Sequence, residues 1–156
     1  MSNEYFEIDN EGKLKFKDSV TTNFSNKASY NLTISVTDAS GLNVSEDVLI
    51  EVNSAPTDLD LSNINFDESQ RGIEIGSVNV TDPNINDSYT YEISGEDADM
   101  FEVTSDGTLK LKDNVYADYE IKSSLNVTIK VIDQGGLSVS KDFTVNVNDL
   151  AYATPY

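Results

Sequence analysis

Polar and apolar residues alternate along most of this chain. The runs Asn31-Leu32-Thr33-Ile34-Ser35-Val36 and Asn126-Val127-Thr128-Ile129-Lys130-Val131 put every second side chain on an apolar face. Residues 48–52 and Phe143-Thr144-Val145-Asn146-Val147 do the same. A period of two is the signature of a half-buried strand. Shorter strands fit 73–80, 89–93, 101–103 and 108–111. Turn residues separate them: Asp106-Gly107, Gly135-Gly136 and Asp82-Pro83-Asn84. No segment sustains the 3.6-residue helical period. Short strands recurring every 8–12 residues or so predict an all-β sandwich or barrel.

The pattern also repeats. At an offset of 95 residues, without a gap, Phe6-Glu7 matches Phe101-Glu102, and Gly12, Leu14, Lys15, Lys17 and Asp18 match Gly107, Leu109, Lys110, Lys112 and Asp113. Thr33, Ile34, Val36 and Asp38 match Thr128, Ile129, Val131 and Asp133, and Gly41-Leu42 matches Gly136-Leu137. Roughly two in five paired residues are identical, and the period exceeds the ~20–50 residues of a solenoid repeat. It equals one small domain, so each unit buries its own core. Residues 54–149 are expected to form a complete module, with strands over 58–66, 73–80, 89–93, 101–111, 124–132 and a final pair within 139–147. Residues 1–53 match only its second half, so their core lacks one wall and leaves open edges. Those edges either fray or accept strands from another copy. Residues 150–156 read as a tail or the start of the next linker.

Composition narrows the chemistry. The chain has no cysteine, histidine or tryptophan, so disulfides, thiolate zinc sites and imidazole catalysis are excluded. Ten basic against 28 acidic residues give a net charge of −18, which repels nucleic acid and anionic membranes and favours hard divalent cations. No stretch is long and apolar enough to span a bilayer, and no signal peptide is visible.

Several motifs, in order, carry a family resemblance. They are Phe66-Asp67-Glu68-Ser69, Val80-Thr81-Asp82-Pro83-Asn84, Asp99-Met100-Phe101-Glu102-Val103, Ala117-Asp118-Tyr119-Glu120, Asp133-Gln134-Gly135-Gly136 and Val147-Asn148-Asp149. Together they resemble the cadherin-like tandem repeats of large bacterial RTX-type surface adhesins. The resemblance implies a Greek-key antiparallel β-sandwich of about seven strands, cadherin- or immunoglobulin-like. It also implies Ca2+ bound between successive repeats, which stiffens a stalk. By position, Glu68, Asp118, Glu120 and Asp149 would be ligands at the C-terminal end, with Asn148 offering its backbone and the next repeat supplying the rest. Asp82, Asn84 and Asp133 would serve the N-terminal end. The first half-module departs from the pattern: Asn23, Ser25 and Ser54 stand where Asp118, Glu120 and Asp149 stand, so calcium near residues 53–57 is expected to bind weakly or not at all.

The expected function is therefore a calcium-stiffened structural or adhesion module, extracellular at the cell surface, not an enzyme, with neighbouring repeats as partners. Alternatives are a polysaccharide-binding or homophilic module binding identical domains, or an accessory domain of an extracellular enzyme. Asn-x-Ser/Thr matches at Asn23, Asn31, Asn43, Asn79, Asn86 and Asn126 are read as chance in an Asn- and Ser-rich chain. Tyr89, Tyr116, Tyr152 and Tyr156 are read as surface tyrosines that could stack on sugars, although tyrosine in β-rich chains more often packs across strands, and Glu96, Asp97 and Asp99 are read as a solvated acidic loop.

Overall fold

The structure is a computed structural model that describes residues 3–85 and 87–151. Asn86, Tyr152 and Tyr156 lie outside the described residues. The chain divides into two compact units, Met1–Asn53 and Ser54–Tyr156.

The first unit holds two antiparallel hairpins. One pairs β1 (Phe6–Ile8) with β2 (Leu14–Phe16), and the other pairs β3 (Ser29–Thr37) with β4 (Asn43–Glu51). The second unit contains β5 (Asp58–Leu61), β6 (Asn65–Asp67), β7 (Glu74–Thr81), β8 (Tyr89–Ser94), β9 (Phe101–Val103), β10 (Thr108–Leu111), β11 (Ser124–Asp133) and β12 (Ser138–Asn148). They form two four-stranded sheets, ordered β5-β7-β10-β9 and β6-β12-β11-β8. This is the all-β sandwich that the alternation predicts.

The alternation works as expected in β11 and β12. Leu125, Val127, Ile129 and Val131 point into the core, where Phe143, Val145 and Val147 meet them. Leu59, Leu61, Ile75, Val78, Leu109 and Leu111 close the core from the other sheet. The intervening polar residues face outward, so burying one face of each strand is what drives the sheets together. Gly107 turns β9 into β10 at φ +88°, a conformation that favours glycine, and a Cβ there would lie 2.9 Å from the Tyr91 hydroxyl.

Two strand assignments need correction. The segment 58–66 is not one strand. It breaks at Ser62–Ile64 and switches sheets, because side chains replace the ladder there: Ser62 Oγ accepts the Ser77 N–H (2.8 Å), while the Asn63 amide donates to the carbonyls of Asn65 (2.7 Å) and Ile75 (3.0 Å). β6 then runs parallel to β12, with Phe66 opposite Val147, so the sandwich is not wholly antiparallel. The segment 101–111 is the hairpin of β9 and β10, as the separate strands 101–103 and 108–111 with a turn at Asp106-Gly107 predict. Residues 139–147 are not two strands but lie within the single strand β12, which contains neither glycine nor proline.

The repeat in sequence is also a repeat in backbone pairing. Phe6↔Phe16, Glu7↔Lys15 and Ile8↔Leu14 correspond to Phe101↔Leu111, Glu102↔Lys110 and Val103↔Leu109. Every β3–β4 pair, from Ser29↔Glu51 to Thr37↔Asn43, has its β11–β12 counterpart from Ser124↔Asn146 to Ile132↔Ser138. What the first unit lacks, among the described residues, is any counterpart of β5–β8. Its small core is Phe6, Tyr30 and Leu32, around which Phe16 stacks on Phe6 (centroids 4.4 Å) and Tyr30 meets both edge-on. Rings thus occupy the places of Leu111 and Leu125, filling more space than the aliphatic side chains of the second unit.

Candidate metal centre

Glu68 follows β6 directly. Its N–H donates to the Asn148 carbonyl (3.3 Å), carrying the parallel ladder one residue further. Ser69 then adopts φ +68° and donates its N–H to the Ala117 carbonyl (2.9 Å), a sharp turn that leaves Glu68 facing inward. Only 2% of Glu68 is exposed. Its two carboxylate oxygens accept the N–H groups of Tyr119 (2.8 Å) and Leu150 (2.9 Å). These bonds hold its carboxyl below the usual range, the Leu150 bond contributing most.

Asp118 and Glu120 stand on the turn that Glu68 grips. The Asp118 carboxylate accepts the Glu120 N–H (3.0 Å), and its carbonyl accepts those of Ile121 and Lys122 (both 3.0 Å). One oxygen from each of Glu68, Asp118 and Glu120 lies within 4.8 Å of the others. Glu120 is pushed up in pKa, first by burial and then by the charges of Glu68, Asp149 and Asp118. Asp149 therefore belongs to the same electrostatic neighbourhood, although it is not in the tight trio.

The first unit shows which parts of this turn are structural. Asn23 takes the Asp118 position and accepts the Ser25 N–H (2.9 Å), and its carbonyl accepts those of Asn26 and Lys27. The turn is thus made without either acid, and the carboxylates of Asp118 and Glu120 are additions to it. Among the described residues no lysine or arginine pairs with Glu68, Asp118 or Glu120. A buried carboxylate and two neighbours of the same sign, without a cationic side chain, fit a hard divalent ion that takes about 6–8 oxygens.

The second group of acids is Asp82, Asp87 and Asp133, again with one oxygen each within 4.8 Å. Asp133 is 5% exposed and accepts the Leu137 N–H (2.9 Å) at the β11–β12 turn. Asp82 accepts the Tyr89 hydroxyl (3.1 Å) and the Asn84 N–H (2.9 Å). Asp87 accepts the N–H groups of Ser88 (2.9 Å) and Gln134 (3.3 Å). Sequence reasoning missed Asp87. Its only signal was a second acid five residues after Asp82 in the same loop. The Asn84 side chain accepts the Ser54 N–H (2.7 Å).

Two further expectations are corrected. Tyr89 is not a surface ring: it packs on the core, and burial together with its bond to Asp82 pushes its hydroxyl up to about 12. Asp97 is not solvated. Its side chain is 11% exposed, pairs with Lys122 (2.8 Å) and accepts the Asn126 N–H (2.7 Å), anchoring the turn before β9. Tyr116 is exposed, with the Arg71 guanidinium 4.9 Å from its ring centroid.

Comparison with known proteins agrees with this architecture. The cadherin domain family matches residues 62–148. Human protocadherin-24 EC1-2 aligns with 63% of this chain and 45% of its own at 29% identity, with a TM-score of 0.52. The protocadherin gamma-B3 EC1-4 structure covers 95% of this chain at 22% identity and a TM-score of 0.49; the gamma-B4 extracellular domain covers 93% at 22% and 0.49. This chain spans 38% of the gamma-B3 structure and 25% of the gamma-B4 structure. No curated protein matches it.

Proposed function

Because the chain belongs to the cadherin-domain family, whose domains are adhesion-type extracellular modules, we propose that it is a calcium-stiffened segment of a bacterial surface adhesin. The second unit is a complete repeat and the first is the back half of another. The motif order through Glu68, Asp118-Tyr119-Glu120 and Asp133-Gln134-Gly135-Gly136 supports the bacterial cadherin-like assignment.

The observation that carries calcium is the convergence of Glu68, Asp118 and Glu120 where the local turn forms equally well from Asn23 and Ser25. Glu68, Asp118, Glu120 and Asp149 would hold the ion at one end of the second unit. Asp82, Asp87 and Asp133 would form a weaker site at the other end, where Asn23, Ser25 and Ser54 replace the acids of the preceding repeat. Bound calcium supplies positive charge and oxygen coordination. The chain's own residues place the carboxylates: Glu68 ties the turn at Tyr119 to the linker at Leu150, so the ligands and the departing chain move as one body. Among the described residues no helix is long and apolar enough to cross a membrane.

Residue-resolved hydrogen exchange tests the site. Calcium is expected to slow exchange of the Tyr119 and Leu150 amides by about tenfold or more, since opening this turn would require release of the ion. In Asp118→Asn the effect is expected to shrink. Unchanged exchange at both amides at saturating calcium would remove the site.

A further inference from the structure

The three acids at the N-terminal end of the second unit come from both of its sheets. Asp82 follows β7, which belongs to the β5-β7-β10-β9 sheet. Asp133 closes β11 in the β6-β12-β11-β8 sheet, and Asp87 lies just ahead of β8 in that same sheet. Carboxylates of like sign repel at this spacing, so Asp82 has to be held against the other two. Backbone N–H groups hold one oxygen, Oδ1, of each acid. Asn84 donates to Asp82 and Leu137 to Asp133, both within the acid's own turn (each 2.9 Å). Ser88 and Gln134 donate to Asp87, which joins it to the β11–β12 turn (2.9 and 3.3 Å). None of these bonds reaches from Asp82 to the strands of the other sheet.

The Tyr89 hydroxyl does. Tyr89 opens β8 and stands opposite Asp133 in the antiparallel register of β11 and β8. Its ring packs against the core, and its hydroxyl donates to the Oδ2 of Asp82 (3.1 Å). One residue thus has its backbone beside Asp133 and its side chain on Asp82. Phenylalanine would supply the same ring, so what the hydroxyl adds is the bond to the acid. Tyr91 makes the comparison within the same strand. It also packs on the core from β8, but its hydroxyl lies beside Gly107.

We infer that Tyr89 is a positioning residue for the cation at this end: its hydroxyl fixes the Asp82 carboxylate beside Asp87 and Asp133 before an ion arrives. This rests on reading the three acids as calcium ligands. A carboxylate oxygen has two lone pairs, so the Asp82 oxygen that accepts the hydroxyl keeps one for a cation. The O–H dipole offsets part of the repulsion among the acids and brings no positive charge to compete with the ion. At the other end of the unit the backbone does this work, since Glu68 takes the N–H groups of Tyr119 and Leu150. Removing the Tyr89 hydroxyl therefore acts at one end alone.

The test follows the backbone amide resonances of the full chain through a calcium titration, in the unaltered chain, Tyr89→Phe and Tyr91→Phe. Unfolding midpoints in chelator check that both variants stay folded. Loss of a partner that orients a metal ligand typically costs about 10–100-fold in affinity. The dissociation constant read at Asp82, Asp87 and Asp133 is expected to rise about tenfold in Tyr89→Phe and to stay the same in Tyr91→Phe. The constant read at Asp118 and Glu120 stays the same in all three. An unchanged constant at Asp82 in Tyr89→Phe would overturn the inference and leave the calcium site standing. A smaller constant there would also overturn it, because the hydroxyl would then compete with the ion. Equal weakening in Tyr91→Phe, or at Asp118 and Glu120, would assign the effect to the packing of β8 and overturn it as well. Calcium that moves Asp118 and Glu120 but none of the three acids in the unaltered chain would overturn the calcium reading of this end, and the inference with it.

Discussion

Ile129→Ala is expected to destabilise the second unit by about 2–5 kcal/mol, because it opens a cavity where the side chain has no exposed surface. For a domain of this size each kcal/mol corresponds to roughly 4–8 °C in the unfolding midpoint. Ile129 pairs with Ile93 on one side and Lys141 on the other, and its side chain lies in the core that both sheets enclose. Ile34→Ala makes the same chemical change at the same register of the first unit. Its side chain is only partly buried, and a smaller loss is expected, about half or less. Denaturant unfolding followed by hydrogen exchange on β3 and β11 separates the two. Equal losses would mean that the first unit covers its face as completely as the second, against the contrast between exposed Val36 and its buried counterpart Val131.

Glu120→Gln is expected to raise the midpoint of the second unit in chelator and to lower it, relative to the unchanged chain, in calcium. Without an ion, burial and the charges of Glu68, Asp149 and Asp118 raise the Glu120 pKa. The folded form then takes up this proton more readily than the unfolded form, so stability increases as pH falls through the raised value. Glu68 has the opposite sign. Its pKa is lowered by the Leu150 and Tyr119 N–H groups, so its contribution is present above the unfolded value and is lost as pH falls through the lowered one. Stability in chelator is therefore expected to rise on mild acidification from neutral pH and then to fall. Glutamine at position 120 abolishes the rise and leaves the fall. A pH series of melts on the two proteins checks this, and a rise that survives in Glu120→Gln would place the proton elsewhere.

Much of the fold was legible in the chain because a strand buried on one face writes its burial into every second residue. β11 and β12 are the clearest cases: Val127, Ile129 and Val131, then Phe143, Val145 and Val147, all face inward. The repeat was equally legible, since a fixed offset preserves turns as well as strands. The sheet switch at Ser62–Ile64 was not. The break appears in the chain only as a one-residue slip in the alternation, from Leu59 and Leu61 to Ile64 and Phe66, and it is made by side-chain hydrogen bonds of Ser62 and Asn63 with residues more than ten positions away. Asp97 and Tyr89 were misplaced for the same reason, because their partners Lys122, Asn126 and Asp82 are brought to them by the fold. Among the acids, Glu68, Asp118 and Glu120 were recognisable by motif, and the structure brings them together. Asp87 belongs to no such motif, and only the packing of its loop beside the Asp133 turn brings it into view.

The most direct test of the account is the unfolding midpoint of the second unit in chelator, across a calcium titration, and in magnesium. A ligand held only by the folded state stabilises by mass action, by about 2.7 kcal/mol at a hundredfold excess over its dissociation constant. Extracellular calcium modules bind with constants of about 10⁻⁴–10⁻³ M, so the account predicts a saturable rise over the millimolar range, larger for calcium than for magnesium. A midpoint that is the same in chelator and throughout the calcium titration would contradict it.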